Sequence, residues 1–371
     1  MDRGEAGSIL YQTTLDVGLQ PGCDPCGVEQ AVRIARRFPR LRYMGSKYKL
    51  IPHLAEVFGS LQFKTVLDAF SGSGVVAYLL KAMGKTVHAN DFLRFSAEVA
   101  RATVENPGRT LTEADVRALL EPNPARSHFI EDTFDGLYFS RQDNQFLDNV
   151  WSNLGRLDDP YKRSLAIASL VLAAAKKQPR GVFTVVGRRY DDGRLDLRLS
   201  MQEQFLRAVK MYNRTVMPGA PGNRVTCSDV FDLPDDRYDL VYLDPPYVPP
   251  RDDNCYIKRY HFLEGLACYW KDVKILYNTR TKKIEKKWTL FSYKHTIVDA
   301  LDRLFAKFSR SIIVLSYSSN SIPPREVIMD LLRRYKKTVH VVAVPHRYSF
   351  GTHQHVGVGR NEVSEYIFVG M

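Results

Sequence analysis

The stretch "DLVYLDPPYVPP", residues 239–250, carries an apolar run into an acid, two prolines and a tyrosine. An exocyclic amino group on a nucleobase is a poor nucleophile, because its lone pair is delocalised into the ring. Two acceptors placed on its two hydrogens return electron density to the nitrogen and favour a tetrahedral geometry. A carboxylate and an adjacent backbone carbonyl, held in proline-restricted backbone, supply that pair. A neighbouring aromatic ring stacks on the base and holds it flat. Asp244, Pro245, Pro246 and Tyr247 have these parts in this order. The plain alternative is a proline-terminated strand with a surface acid, but open α/β sheets bind ligands where parallel strands exit.

A second signal lies upstream. In "KTVLDAFSGSG" an apolar strand opens into a glycine loop, and Asp91 stands 23 residues beyond Asp68 at the end of the next apolar run. An acid at that point hydrogen-bonds ribose hydroxyls in such sheets, while the glycines let backbone approach a ligand. The third glycine of a dinucleotide fingerprint is missing, which suggests a nucleoside whose tail is not a pyrophosphate. An ordinary strand-to-helix turn with a capping acid accounts equally for these residues taken alone.

Such side chains need a sheet to hold them. "KTVLDAFSGSGVVAYLLKAMG" and "KTVHANDF" read as the opening βαβ of a doubly wound α/β sheet. Residues 95–177 read as mostly helical, with "RSLAIASLVLAAAKK" a buried helix. In "GVFTVVGRRYDDGRLDLRLS", Asp192-Gly193 separates β-rich segments, and Leu195, Leu197 and Leu199 alternate with Arg194, Asp196 and Arg198; this predicts a β-hairpin. Strand text resumes at "DLVYLDPPY", "SIIVLSYSS", "TVHVVAVPH" and "SEYIFVG". The expected organisation is a basic N-terminal arm over 1–40 and a discontinuous sheet domain over 41–100 and 225–371. A helix-and-hairpin segment over 101–224 is inserted in it.

The net charge of +12 points to a polyanionic partner. Within "YWKDVKILYNTRTKKIEKKW", aromatics interleave with Lys and Arg as in a phosphate-tracking loop, although a solvated basic loop fits as well. The five cysteines include Cys23 and Cys26 in "CDPC", with no second pair to complete a zinc site, and "THQHVGVG" reads as a glycine loop with incidental histidines. No apolar run is long enough to span a membrane, and the N-terminus lacks the order of a signal peptide, so a cytoplasmic protein is expected.

"DPPY" together with "DAFSGSG" resembles the amino-methyltransferases that use S-adenosylmethionine. "RYMGSKYKLIPHL" further resembles the motif that precedes the glycine loop in Dam-like DNA adenine-N6 methyltransferases of the alpha arrangement, and "RGVFTVVGRRY" resembles a segment of their recognition region. The resemblance runs from about Arg42 to the C-terminus. It implies a Rossmann-like sheet with S-adenosyl-L-methionine as cofactor, no metal, and an inserted target-recognition region. The partners it implies are duplex DNA and, as a companion, a cognate restriction endonuclease.

Position by position, it implies cofactor contacts at Tyr43, Gly45, Ser46 and Lys47, at Asp68 and Gly72, at Asp91 for the ribose, and at Asp229 for the adenine. It also implies that Asp244, Pro245, Pro246 and Tyr247 act on a flipped adenine, with Asp244 near the cofactor too. Arg180, Arg188, Arg189 and Arg194 are the expected DNA contacts. Cytosine N4 in DNA and adenine in RNA are alternative targets of the same parts. A DNA-binding subunit that has lost catalysis is a further alternative, against which the intact Asp244 and glycine loop stand.

Overall fold

The apolar runs form strands β1 (Thr65–Asp68), β2 (Thr86–Asp91), β3 (Arg224–Cys227), β4 (Leu240–Leu243), β5 (Ile312–Ser318), β6 (Val339–Arg347) and β7 (Glu362–Gly370). They are seen in a computed structural model that describes residues 25–187, 193–234, 237–249, 255–347 and 362–371. The sheet order is β3-β2-β1-β4-β5-β7-β6. The pairs from β3 to β5 are parallel, and β7 lies antiparallel between β5 and β6. The order reverses between β1 and β4, where a doubly wound sheet leaves a crevice beyond its strand ends.

Both faces are covered, which is why the central strands read as continuous apolar runs rather than alternating ones. All four residues of β4 are buried. Leu240 and Tyr242 face a core shared with the helices Val75–Ala82, Pro160–Lys177 and Tyr256–Cys268. Val241 and Leu243 face the opposite core, made with Ile297–Lys307 and Arg325–Arg333. Pro160–Lys177 is the buried helix expected from its composition. The Asp159 carboxylate caps it by accepting from the backbone N–H groups of Tyr161 and Lys162 at 2.8 and 3.1 Å. No helix among the described residues is long and apolar enough to cross a membrane.

Two expectations need correction. The end of the presumed arm is folded: Pro25–Ala35 is a helix, and Ala31, Ala35 and Phe38 are buried against the core. Its apolar positions recur at helical spacing between arginines, so the Arg-rich text masks an amphipathic helix. Residues 1–24 lie outside the described residues.

The hairpin is not where alternation put it. Leu195–Arg198 is one helical turn, and the described residues 182–187 form no strand. Residues 188–192, which include Arg188, Arg189 and the Asp192 of the expected turn, lie outside the described residues. The turn leads into Met201–Thr215, whose N-terminus carries a capping box. Ser200 Oγ accepts from the Glu203 N–H at 3.2 Å, and the Glu203 carboxylate accepts from the Ser200 N–H at 2.8 Å. Alternation alone does not make a strand, which needs a partner for its backbone; here the turn is closed by the Leu199 N–H donating to the Leu195 carbonyl, and Leu195 is left 58% exposed.

A short antiparallel pairing appears further on. Ile275 bridges Ile284, the Leu276 N–H donates to the Lys283 carbonyl, and the Glu285 N–H donates to the Lys274 carbonyl. Its base is anchored by Trp270, which packs so close to Gly265 that a Cβ there would lie 2.1 Å from the indole. Tyr269 and Trp270 thus belong to the core with Phe129 and Phe134. They do not track phosphates.

Candidate active site

An open cleft of about 1090 Å³ lies beyond the carboxyl ends of β1, β2 and β4. It gathers Tyr43, Gly45, Ser46, Lys47, Asp68, Gly72, Asp91, Asp229, Asp244, Pro245, Pro246 and Tyr247, residues that are up to 204 positions apart in the chain. Of the expected DNA contacts, Arg194 does not line it. Arg194 is half-buried at the start of the Leu195–Arg198 turn, the side chain of Arg180 is outside the described residues, and so are Arg188 and Arg189.

The glycine loop follows directly from β1. Gly72 has φ +50° and lies under the Tyr43 ring, which a Cβ at this position would meet at 2.9 Å. Only glycine satisfies both the left-handed backbone and the close approach. Asp91, at the end of β2, holds this backbone: Oδ2 accepts from the Gly72 N–H at 2.7 Å and Oδ1 from the Leu93 N–H at 2.8 Å. Burial raises the Asp91 carboxyl to about 7, against the lowering effect of these N–H donors and with a further rise from Glu264.

Asp68 is the outlier. It is fully buried at the end of β1, and its carboxylate has no side-chain partner among the described residues; only the backbone N–H groups of Phe70 and Ala77 act to lower it. Burial first, then the nearby Asp244 and Asp91 carboxylates, outweigh them and raise it well above the ordinary range. A buried carboxyl without a counter-charge is costly, and one that lines a cleft can receive a donor or a positive charge from a ligand.

Tyr43 closes one wall. It stacks on Tyr260 at 5.2 Å with planes 6° apart, and meets Tyr256 in a tilted contact at 5.4 Å. The Tyr260 hydroxyl accepts from the Met44 N–H at 2.7 Å, and the Tyr256 hydroxyl donates to the Met44 carbonyl at 3.2 Å. The helix after the DPPY segment thereby fixes the segment that carries Gly45, Ser46 and Lys47. Ser46 reaches the glycine loop through Ser73, with the hydroxyls 3.3 Å apart. At the far end, Asp229 caps the turn Val230–Asp232 by accepting from the Phe231 N–H at 3.0 Å, beside Phe92 and Phe291.

Asp244 stands one residue past β4 and keeps 18% of its side chain exposed in the cleft. Lys47, nearly buried, places Nζ 2.6 Å from Asp244 Oδ1 and donates to the Gly45 carbonyl at 2.8 Å. The Tyr247 hydroxyl donates to Asp244 Oδ1 at 3.1 Å and also contacts the Glu365 carboxylate. Burial lifts the Asp244 carboxyl to about 6; Lys47 opposes that lift and Glu365 adds to it.

Glu365, Tyr256 and Phe291 were not singled out from the sequence. The available signal for Glu365 was an acid inside the apolar strand text "SEYIFVG", yet its place behind Lys47 and Tyr247 depends on β7 lying beside β5, opposite Ser318.

As chemistry, the cleft offers an ordered backbone loop with a buried acid on either side of it. Beyond these lies an acceptor pair at the β4 exit, flanked by an aromatic ring and a lysine. No group of three or more metal-ligating side chains occurs among the described residues.

A family model described as D12 class N6 adenine-specific DNA methyltransferase matches residues 43–313. The Type II methyltransferase M2.HphI of Haemophilus parahaemolyticus is 27% identical over 327 residues, covering 84% of this chain and 93% of the relative. M.FokI of Planomicrobium okeanokoites is 24% identical, with 88% of this chain and 52% of the relative aligned. The modification methylase LlaI of Lactococcus lactis is 23% identical over 80% of this chain and 49% of its own length. The chain spans about half the length of these last two.

Proposed function

Since the chain belongs to the D12 class of N6 adenine-specific DNA methyltransferases, we propose that this cleft binds S-adenosyl-L-methionine and methylates the N6 of an adenine extruded from duplex DNA. The observation that carries the reading is the β4 exit, where Asp244, Pro245 and Tyr247 line the same cleft as the buried Asp68 and the Asp91-held glycine loop.

The residues fit this cofactor. Asp68, held toward its neutral form by burial and its carboxylate neighbours, would ionise against the amino-acid ammonium group, which brings the counter-charge it lacks. Asp91 spends one lone pair of each oxygen on backbone and retains others for ribose hydroxyls. Asp229, with Phe92 and Phe291, receives the adenine, and Tyr43, Gly45 and Ser46 cover the methionine end. The cofactor contributes one thing to the chemistry, a methyl group made electrophilic by its attachment to a sulfonium.

This chain's residues prepare the nucleophile. Asp244 and the Pro245 carbonyl accept the two amino hydrogens, and Tyr247 with the Pro246 backbone holds the ring in plane. When N6 takes up that methyl group it would have to lose one proton, and the Asp244 carboxylate, already accepting that hydrogen, would receive it and pass it to solvent. Extrusion costs a few kcal/mol of stacking and pairing.

Phosphate contacts can offset that cost. Residues 271–288 hold seven Lys or Arg against two acids. They also carry Tyr277 at 63% and Trp288 at 60% exposure, with Trp288 stacked on Tyr293 at 5.4 Å. This segment is the proposed DNA-facing surface, together with the inserted region 101–224 and its Arg180, Arg188, Arg189 and Arg194. A cytoplasmic enzyme working beside a restriction endonuclease fits the modification-methylase names of the relatives.

Calorimetric titration with S-adenosylmethionine, followed by tritiated methyl transfer to duplex DNA and RNA, tests the proposal. Label recovered as N6-methyladenine from duplex DNA is the expected result; label in N4-methylcytosine or RNA, or none at all, overturns it.

A further inference from the structure

We propose that Glu365 is a positioning residue for this reaction: it draws Lys47 off Asp244 when the target amino group arrives, leaving the Asp244 carboxylate to accept that group's hydrogen. The inference rests on the reading of Asp244 as the amino-group acceptor, and it begins from a conflict in the geometry. Lys47 Nζ sits 2.6 Å from Asp244 Oδ1, the oxygen that also receives the Tyr247 hydroxyl. An ammonium so placed competes with the incoming amino group for the same lone pairs.

Lys47 is only 4% exposed, so it cannot withdraw into water. A buried charge that loses its partner is strongly destabilising unless another partner stands within reach. Glu365 is that partner. Its carboxylate is 2% exposed, and Oε1 lies 3.6 Å from Lys47 Nζ, so about an ångström of movement exchanges one ion pair for the other. The Gly45 carbonyl, 2.8 Å from Nζ, remains a common acceptor in both arrangements.

Tyr247 couples the exchange to the ring proposed to hold the base. Its hydroxyl has one hydrogen and two carboxylate neighbours, Asp244 and Glu365. Once Asp244 turns to the amino group, that hydrogen is donated to Glu365, and the ring keeps its tilted contact with Tyr317 at 5.0 Å. The insertion of β7 between β5 and β6 is what carries Glu365 to this point.

Among the described residues, the groups that face Asp244 are Lys47 from the turn Lys47–Leu50, Asp68 from β1, Tyr242 from β4, Tyr247, Tyr43 and Glu365 from β7. Among them Glu365 raises the Asp244 carboxyl and Lys47 lowers it. Neutralising Glu365 removes the first influence and strengthens the second, so both changes lower it. An activity that needs ionised Asp244 then extends to lower pH.

The test is single-turnover methylation of an adenine duplex at saturating cofactor, run as a pH profile. Glu365→Gln should lower the plateau rate by about tenfold or more, because the acceptor is misplaced. It should also move the acid limb to lower pH and leave cofactor affinity within about twofold. Glu365→Asp, which restores the charge, should recover part of both properties. Adding Lys47→Met to Glu365→Gln should raise the rate above that of Glu365→Gln alone, since the competitor is gone.

An unchanged plateau and acid limb in Glu365→Gln overturn the proposal. So does a Lys47→Met addition that only worsens the defect. If Glu365→Gln fails to fold, the pH profile of Glu365→Asp decides, and a wild-type profile there counts against the proposal. Asp244→Asn, measured alongside, separates the two levels. Full turnover in it removes the acceptor reading and this inference together, whereas an inactive Asp244→Asn beside an unaltered Glu365→Gln removes only the role of Glu365.

Discussion

Asp244→Ala isolates the proposed acceptor from everything else in the cleft. Asp244 makes none of the hydrogen bonds that shape the glycine loop; those belong to Asp91. Its own partners are Lys47 and Tyr247, and Lys47 keeps the Gly45 carbonyl and Glu365 within reach after the carboxylate is removed. The fold and cofactor affinity should therefore survive, with dissociation constants within a few-fold of wild type. Chemistry should not. Losing one preorganised charge-stabilising group costs about 10²–10³ in rate, or roughly 2.7–4 kcal/mol. The pH profile supplies an independent sign. The wild-type carboxyl is raised to about 6, and only its ionised form accepts two hydrogen bonds without donating one, so the rate should climb as pH rises through about 6 and level off above it. In the alanine variant that limb should vanish. Single-turnover methylation of a synthetic adenine duplex at saturating cofactor, across roughly pH 5–8, measures both effects. Near-normal chemistry in Asp244→Ala, or an acid limb that persists in it, would refute the mechanism whatever family the chain belongs to.

Asp91→Ala should weaken S-adenosylmethionine binding at least about tenfold, since a charge-assisted hydrogen bond is worth roughly 1.5–3 kcal/mol. With the Asp91 carboxyl raised to about 7, wild-type affinity in a calorimetric titration should also fall as pH drops below that value, and an equal affinity in both proteins removes Asp91 from the ribose site. Tyr247→Ala removes stacking worth about 1–3 kcal/mol; part of the lost rate should return on a duplex mispaired at the target, because extrusion is then easier. Trp288→Ala should weaken DNA binding without changing cofactor affinity, and alanine at Lys286 and Lys287 should flatten the salt dependence of binding by about one charge for each lysine that pairs with a phosphate. Unaltered binding isotherms in those variants would turn the 271–288 segment away from DNA.

What could be read from the sequence and what could not divide along physical lines. Asp68, Asp91 and Asp244 were legible because each ends an apolar run, and a strand exit is a local event. The seven-stranded order was legible only as far as βα alternation reaches; that β7 slips antiparallel between β5 and β6 is a tertiary choice. For that reason Glu365 stayed invisible, although it stands 3.6 Å from a lysine that the motif before the glycine loop had already drawn into the site. The hairpin was misplaced for the opposite reason. Leucine alternation over 195–199 looked like a strand, but a strand needs a partner, and here the backbone closes on itself in one helical turn, the Leu199 N–H donating to the Leu195 carbonyl. The pairing that did form, Ile275 with Ile284, lies in text too crowded with lysine to show a period. It holds because Tyr269 and Trp270 at its base pack into the core, in left-handed backbone at φ +51° and +54°. Long-range packing imposes that conformation on non-glycine residues, and no propensity scale signals it. The cleft therefore joins two kinds of residue. Those that end strands can be found from sequence alone. Lys47 and Glu365, which set the charge on the proposed acceptor, meet only once the sheet has closed around them.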